Sequence, residues 1–234
     1  MKPRSGASPP NQLPTIGIGT GANERLVDPG AARALSFAAE ELGYSSVWTF
    51  DSPAGERWTD PRPGRDVDDV LATLETFVSS TSGITVGAAL LRAHWPLPVA
   101  VVERLIATQE ASLGRLVVAR PYSSALQGVP FGPMYQMWSP EEPQLAPWAT
   151  GWMVDRWEHA MPRPDFRAAR GGLVVRLPVH DAAEQLVAEI HALHAIGASE
   201  VVLDVVADDG IDQALSLYSR IAEQVEGNLD RRTA

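Results

Sequence analysis

The stretch AARALSFAAEELGYSSVWTFDSP (residues 31–53), followed by DVLATLETFVSSTSGITVGAALLRAHWPLPVAVVERLIATQEASLGRLVVAR (residues 69–120), alternates helical and strand patterns. Apolar residues recur at helical spacing and then give way to short continuous apolar runs, three times in succession. Each run leads into a polar loop that contains proline or glycine. This alternation predicts a parallel sheet covered by helices. In a parallel barrel, the loops that follow the strands build the functional site.

Residues that start and stop helices stand where the alternation needs them. Asp28 and Pro29 combine an N-cap acceptor with a residue whose fixed φ suits the first helical position. Gly43 stops that helix, and Gly197 stops a later helix that opens with a capping-box spacing at residues 181–184. The patterns predict six strands, at residues 15–19, 46–50, 84–90, 116–119, 173–179 and 200–206. On periodicity alone, an open doubly wound sheet and a closed barrel both fit.

The alternation of helix and strand patterns stops between residues 121 and 170, a segment rich in proline and tryptophan. We expect residues 147–159 to form one helix and the segment to contain no strand. A complete eight-stranded barrel would need two strands from this segment, so we predict an incomplete or abbreviated barrel. Residues 15–226 would form this single domain, between a flexible leader at residues 1–14 and a polar, frayed tail at residues 227–234.

The composition limits the partners. A net charge of −10 disfavours a nucleic-acid surface, because such surfaces bind phosphates through lysine and arginine. The chain has no cysteine, which excludes disulfides and thiolate metal sites. Its apolar runs are shorter than the roughly 20 residues that span a bilayer, and residues 1–14 lack the apolar core of a signal peptide. We therefore expect a cytoplasmic protein with a small-molecule substrate, without nucleic-acid or membrane partners.

The quoted stretch also carries a family resemblance. Residues 38–51 (AAEELGYSSVWTFD) and 69–119 resemble the first helix and the second to fourth strands of the bacterial luciferase-like monooxygenase superfamily, and residues 191–206 (HALHAIGASEVVLDVV) resemble its late helix and last strand. This superfamily includes FMN-dependent monooxygenases and oxidoreductases that use the deazaflavin coenzyme F420. The resemblance implies a TIM-barrel-like parallel (β/α) barrel and a homodimer formed through helices beside strands two and three.

The resemblance also implies a cofactor site. Residues 87–89 match the strand-three bulge of the superfamily, where small residues let a flat ring approach the backbone. Arginines after strands three and four could hold a phosphate through charge-assisted hydrogen bonds. The residues expected to contact the cofactor are Gly87, Ala88, Ala89, Arg92, Arg120 and Ser123. The expected cofactor is FMN or coenzyme F420, with a cofactor-free protein as the alternative.

Asp51 and His94 are the candidate catalytic acid and base. Asp51 follows the second strand, where redox-active members of the superfamily often carry histidine or glutamate, and His94 lies in the loop after the third strand. The alternative interpretations are structural. Asp51 would then order its loop, His94 would pack in its own loop, and Arg92 and Arg120 would form surface salt bridges.

Aromatic residues near the predicted barrel mouth suggest an apolar substrate pocket. The candidate pocket residues are Trp48, Tyr122, Phe131, Tyr135, Trp138 and His180. The aromatic residues of the middle segment could instead plug the core in place of missing barrel elements. Asp204, Asp208 and Asp209 have no metal-ligand spacing with a histidine, so no metal site is expected.

Three functions remain open at this point. The first is a luciferase-like oxidoreductase or monooxygenase that uses a flavin or deazaflavin on a small, apolar organic substrate. The second is a non-catalytic or cofactor-free relative that acts as a binding protein or a subunit. It is favoured by the missing histidine after strand two and by ARPYSS (residues 119–124), where the superfamily usually has glycines. The third is a cofactor-independent isomerase or cyclase.

Overall fold

The structure, a computed structural model, describes residues 15–20, 28–52, 65–91, 97–121, 133–138, 144–155, 171–179, 183–205 and 210–233. The predicted leader and the predicted capping residue Asp181 lie outside these ranges. The strands are β1 (Thr15–Gly19), β2 (Ser46–Phe50), β3 (Thr85–Ala89), β4 (Leu116–Arg120), β5 (Met134–Met137), β6 (Gly151–Asp155), β7 (Leu173–Val179) and β8 (Glu200–Val205). The helices are α1 (Pro29–Glu41), α2 (Val67–Ser80), α3 (Val99–Ala111), α4 (Ala183–Ala195) and α5 (Ile211–Thr233).

The eight strands form one closed barrel in which each strand pairs in parallel with its neighbour along the chain, and β8 pairs with β1. The predicted TIM-barrel-like fold is therefore confirmed, and the open doubly wound sheet is excluded. The expectation of an incomplete barrel was wrong, because residues 121–170 contribute β5 and β6. Both strands are short, and MYQM and GWMVD lack the continuous apolar character that marks a buried strand.

The predicted helix over residues 147–159 was also wrong, because β6 occupies its centre. Helices follow β1, β2, β3, β7 and β8, whereas the described residues between β4 and β7 include no helix. At the other end of the chain, α5 continues to Thr233 where we expected a frayed tail. The sheet of the barrel is complete.

Local signals at the helix ends act as predicted. Asp28 caps α1, where its carboxylate accepts hydrogen bonds from the backbone N–H groups of Gly30 (3.0 Å) and Ala31 (3.3 Å). Gly43 and Gly197 follow α1 and α4 with φ of 78° and 103°, a conformation that favours glycine. No helix within the described ranges is both long enough and apolar enough to cross a bilayer.

Alternate residues of each strand face two separate cores. The outer core lies between the barrel wall and the helices, and contains Ile18, Val47, Val86, Val118 and Leu203 together with apolar residues of all five helices. The inner core fills the barrel with Trp48, Phe50, Ala89, Leu91, Val117, Ala119, Met137, Met153, Val174 and Val202. This period of two decides which residues can meet a ligand inside the barrel.

Large rings and glycines share the barrel interior. Trp48 on β2 is directly opposite Gly87 on β3, and a Cβ atom at Gly87 would lie 2.2 Å from the indole. Tyr135 on β5 is opposite Gly151 on β6, where a Cβ atom would lie 2.7 Å from the phenol ring. Because glycine has no side chain, each of these glycines leaves room for the ring on the neighbouring strand.

Candidate functional site

A polar cluster lies inside the barrel at the carboxyl ends of the strands. Arg176 from β7 and Asp204 from β8 both face the interior, and Ser52 follows the end of β2. All three are fully buried at 0 % exposure. Charged groups are rarely buried in a barrel interior unless they are paired, so their position at the site-forming end is informative. We call Ser52, Arg176 and Asp204 the rim cluster.

The guanidinium of Arg176 organises this cluster. Its Nε donates a hydrogen bond to Oδ2 of Asp204 at 2.7 Å, and its Nη2 lies 2.5 Å from the same oxygen. Nη2 also donates to the backbone carbonyl of Ser52 at 2.8 Å. The guanidinium carbon lies 3.6 Å from the centroid of the Phe50 ring, which gives a cation–π contact. Arg176 thus joins the middle of β7 to the carboxyl ends of β2 and β8.

Two polar atoms of the rim cluster are left over. Within the described residues, Oδ1 of Asp204 and the Ser52 hydroxyl have no hydrogen-bond partner, although both are buried. Burial raises the pKa of Asp204, and the adjacent Arg176 guanidinium opposes part of that rise. An unsatisfied buried polar group costs roughly 1–3 kcal/mol. A ligand that satisfied these atoms would recover that free energy on binding.

A second buried carboxyl lies at the opposite, amino end of the barrel. Oε1 of Glu200 accepts hydrogen bonds from the Ser46 hydroxyl and from Nε1 of Trp48, the latter at 3.4 Å. Burial raises the pKa of Glu200, and these two hydrogen bonds oppose the rise. Burial, with a smaller effect from the Glu200 charge, raises the pKa of Tyr135 to about 12. The groups at this end hydrogen-bond to one another, which fits a role in stability.

Replacing Glu200 by glutamine should stabilise the protein at pH 7, because glutamine removes the cost of burying a charge. The folded-state pKa of Glu200 is raised above its usual value of 4.5, so the folded protein loses stability as the pH rises from about 4.5 towards that raised pKa and Glu200 ionises. Glutamine cannot ionise, so the difference between variant and wild type should grow from pH 4 to pH 7. Urea unfolding at several pH values measures it, and a difference independent of pH would contradict the assignment.

The structure places three of the predicted residues in the inner core and one at the rim. Trp48, Gly87 and Ala89 face the barrel interior. The space over Gly87, which we expected to admit a flat cofactor ring, is filled by the indole of Trp48. Asp51 is 1 % exposed at the carboxyl end, where its backbone N–H donates to the Ala89 carbonyl at 3.1 Å. Its proposed acid–base role stays a prediction.

Three other predicted residues face the outer layer, and Tyr135 packs against the inner core near its amino end. Ala88 and Trp138 belong to the outer core, so they face the helical layer and not the barrel interior. Arg120 alternates with the inward-facing Ala119, and its guanidinium lies 3.9 Å from the Trp148 ring centroid. Tyr135 reaches the Gly171 carbonyl at 3.0 Å near Glu200, at the amino end and away from the mouth.

Burial also changes the chemistry of Arg120. It lowers the pKa of the guanidinium to about 10. A buried, outward-facing arginine is poorly placed to hold the phosphate of a ligand inside the barrel. The remaining predicted residues lie outside the described ranges, and their roles stay predictions: Arg92, His94, Tyr122, Ser123, Phe131 and His180.

Arg176 and Ser52 were missed by sequence reasoning, and Asp204 was considered only as a metal ligand. A signal existed, since a charged residue lies within each of the otherwise apolar runs VVRLPV of β7 and VVLDV of β8. Such a charge is expensive to bury without a partner. Within the described residues, no three histidine, aspartate or glutamate side chains are grouped so that they could hold a metal ion.

Comparison with known proteins bears on the fold. No protein-family model matches the sequence, and no curated protein matches it. Among solved structures, an F420-dependent secondary alcohol dehydrogenase in complex with an F420–acetone adduct matches 90 % of this chain and 98 % of its own, with 13 % identity and a TM-score of 0.64. The monooxygenase RslO1 from Streptomyces bottropensis matches 92 % and 99 %, with 12 % identity and a TM-score of 0.61.

The chain shares the fold of these two proteins. The same barrel is also similar to tryptophan synthase subunit alpha from Legionella pneumophila, with 12 % identity, coverage of 92 % of this chain and 93 % of that one, and a TM-score of 0.53. At such identities the likeness establishes the fold alone, since one barrel hosts many reactions. The function has to be argued from the site.

Proposed function

We propose that this protein is an oxidoreductase that uses coenzyme F420 or a flavin such as FMN on a small, mostly apolar organic substrate. The observation that carries the proposal is the rim cluster, which is charged, buried and located at the site-forming end of the barrel. Support comes from the fold shared with an F420-dependent dehydrogenase and a monooxygenase. A cytoplasmic homodimer is part of the same proposal.

The residues of the rim fit the polar edge of such a cofactor. Flavin and deazaflavin rings carry an imide N–H between two carbonyl groups, and this edge needs both acceptors and donors. Oδ1 of Asp204 offers a buried acceptor and the Ser52 hydroxyl offers a donor, and neither is satisfied within the described residues. When bound, the cofactor supplies the redox chemistry by accepting or donating a hydride.

The chain's own residues would position the ligands and exclude water. Arg176 holds the Asp204 carboxylate in place and ties it to the end of β2 through Ser52. The apolar residues Ala89, Leu91 and Met137 are at most 3 % exposed and exclude water from this part of the barrel. Exclusion of water strengthens every hydrogen bond made to Asp204.

A second function is favoured by a different observation. The indole of Trp48 occupies the space over Gly87, and the guanidinium of Arg120 packs on Trp148. Gly87 and Arg120 are therefore not available for the cofactor contacts that the family resemblance implied. This supports a relative that has lost redox chemistry and acts as a binding protein. The cofactor-independent isomerase or cyclase needs His94, which lies outside the described residues.

Cofactor binding separates these functions. The absorbance of the purified full-length protein between about 350 and 500 nm would first show whether a flavin or deazaflavin copurifies. Titration with FMN and with F420, followed by fluorescence, should then give dissociation constants in the micromolar range. Arg176→Met should weaken binding at least ~10-fold, while Glu200→Gln at the other end of the barrel should bind as the wild type does. If neither cofactor binds at about 100 μM, the oxidoreductase proposal is wrong and the binding-protein function gains support.

A further inference from the structure

The chemistry of the rim cluster narrows the kind of ligand group that it can bind. Arg176 contacts Asp204 at one oxygen, Oδ2, through the hydrogen bond from Nε and the ion pair with Nη2. The other carboxylate oxygen, Oδ1, keeps its lone pairs without a partner within the described part of the chain. A carboxylate oxygen only accepts hydrogen bonds. The group that satisfies it must therefore be a hydrogen-bond donor.

The surroundings of Oδ1 set the charge and shape of that group. Gly19 lies beside the carboxylate, and a Cβ atom there would come 3.4 Å from Oδ1 and 2.9 Å from the Phe50 ring. Glycine keeps any side chain of residue 19 away from Oδ1, and a Cβ atom there would also crowd the Phe50 ring. An anionic group would be repelled by the carboxylate, and a cationic group would compete with the Arg176 guanidinium for the same charge. A neutral hydrogen-bond donor is neither repelled by the Asp204 carboxylate nor in competition with the Arg176 guanidinium.

We propose that the rim cluster binds a neutral O–H or N–H group of its ligand, which donates a hydrogen bond to Oδ1 of Asp204 while the Ser52 hydroxyl contacts the same polar edge. The rest of the ligand is apolar, because Phe50, Ala89 and Leu91 line the inner core there. This inference rests on the proposed function only for the identity of the ligand. The donor is either the imide N–H of the cofactor ring or the hydroxyl of an alcohol substrate, and two matched pairs of probes distinguish these sources.

The first pair tests a substrate hydroxyl without any cofactor. Cyclohexanol and methoxycyclohexane differ in the donor, and cyclohexanone provides an acceptor of similar shape. Binding to the wild-type protein can be followed by saturation-transfer NMR and by thermal shift. If the donor is a substrate hydroxyl, the wild type should bind the alcohol at least ~10-fold more tightly than the ether, because the ether leaves Oδ1 unpaired.

The second pair tests the cofactor ring. FMN and N3-methyl-FMN differ in the imide donor, and N3-methylation should weaken binding at least ~10-fold if the ring supplies the hydrogen bond. A loss in only one pair identifies the source of the donor. Equal affinities within both pairs, or a preference for cyclohexanone over cyclohexanol, would overturn the inference. The alcohol pair stays decisive if FMN fails to bind, so the inference can survive the failure of the oxidoreductase proposal.

Asp204→Asn gives a readout that a merely structural role would not produce. Arg176 only donates hydrogen bonds, so the asparagine carbonyl would keep its place against Arg176 and the amide NH₂ would take the place of Oδ1. The Asp204→Asn variant should then bind cyclohexanone more tightly than cyclohexanol. Glu200→Gln, on the same strand but at the other end of the barrel, should keep the wild-type preference. If Asp204→Asn fails to fold, the wild-type pairs decide alone.

Discussion

Replacing Arg176 by methionine is expected to lower the free energy of unfolding by about 3–5 kcal/mol, because it leaves the Asp204 carboxylate buried without its cation. The Ser52 carbonyl would lose its donor in the same step. Urea unfolding followed by tryptophan fluorescence at pH 7 measures the change. A loss below about 1 kcal/mol would mean that the pair is not buried as the structure describes.

The pH dependence of this variant has a definite sign. Arg176 opposes the rise in the pKa of Asp204, so its removal should raise that pKa further above the usual 3.8. A raised carboxyl pKa costs stability as pH increases through the shifted range. The penalty in Arg176→Met should therefore be largest at neutral pH and smallest near pH 4.

The double variant Arg176→Met/Asp204→Leu is the matched control. Replacing a buried ion pair by apolar side chains is often neutral or stabilising, so the double variant should recover most of the stability lost by the single one. It should also lose the dependence on pH that Asp204 causes. A double variant as unstable as the single one would indicate that Arg176 stabilises the barrel mainly through Phe50 and Ser52.

Gly87→Ala is expected to destabilise the barrel by about 3 kcal/mol or more, because the new methyl group would lie 2.2 Å from the indole of Trp48. Neither residue can easily move, since both belong to paired central positions of β2 and β3. Thermal and urea unfolding measure the loss. The same substitution distinguishes two interpretations of Gly87. A glycine kept for a cofactor ring would tolerate alanine in the ligand-free protein and lose only cofactor affinity.

Two controls accompany this prediction. In the background of Trp48→Leu, which removes the indole, Gly87→Ala should cost less than about 1 kcal/mol. Gly210→Ala, where a Cβ atom would meet nothing within 4 Å, should change stability by less than about 1 kcal/mol. If Gly87→Ala and Gly210→Ala have equal effects, the indole does not occupy the position described.

Helices and strands were predicted correctly where the residues that specify them are neighbours in the sequence. Strands β1, β2, β7 and β8 fall where their apolar runs predict them, and α1 begins at the Asp28 cap. Strands β5 and β6 were missed because MYQM and GWMVD lie in a proline- and tryptophan-rich segment that lacks the helix–strand alternation of the rest of the chain. Such segments become strands when their backbone groups complete a closed barrel, and that condition is invisible in a short window of sequence.

The same distinction applies to the residues of the candidate site, some of which could be predicted from the sequence and some of which could not. Asp51 was placed at the carboxyl end of β2 because a polar residue after a buried strand is a local feature. Arg176 and Asp204 are 28 positions apart, and their pairing depends on the register of β7 with β8. Arg120 has the same residue type as Arg176, yet it faces the outer layer because it falls on the other phase of its strand.

The amino-acid sequence by itself determined the alternation of helices and parallel strands, the helix caps and the end of the sheet where a site should lie, because each of these depends on neighbouring residues. Only the tertiary structure decided that the barrel closes with eight strands and that Trp48 covers Gly87. It also decided that Arg176 neutralises Asp204. These features depend on strand register, and a shift of one residue would exchange the inner and outer faces of every strand.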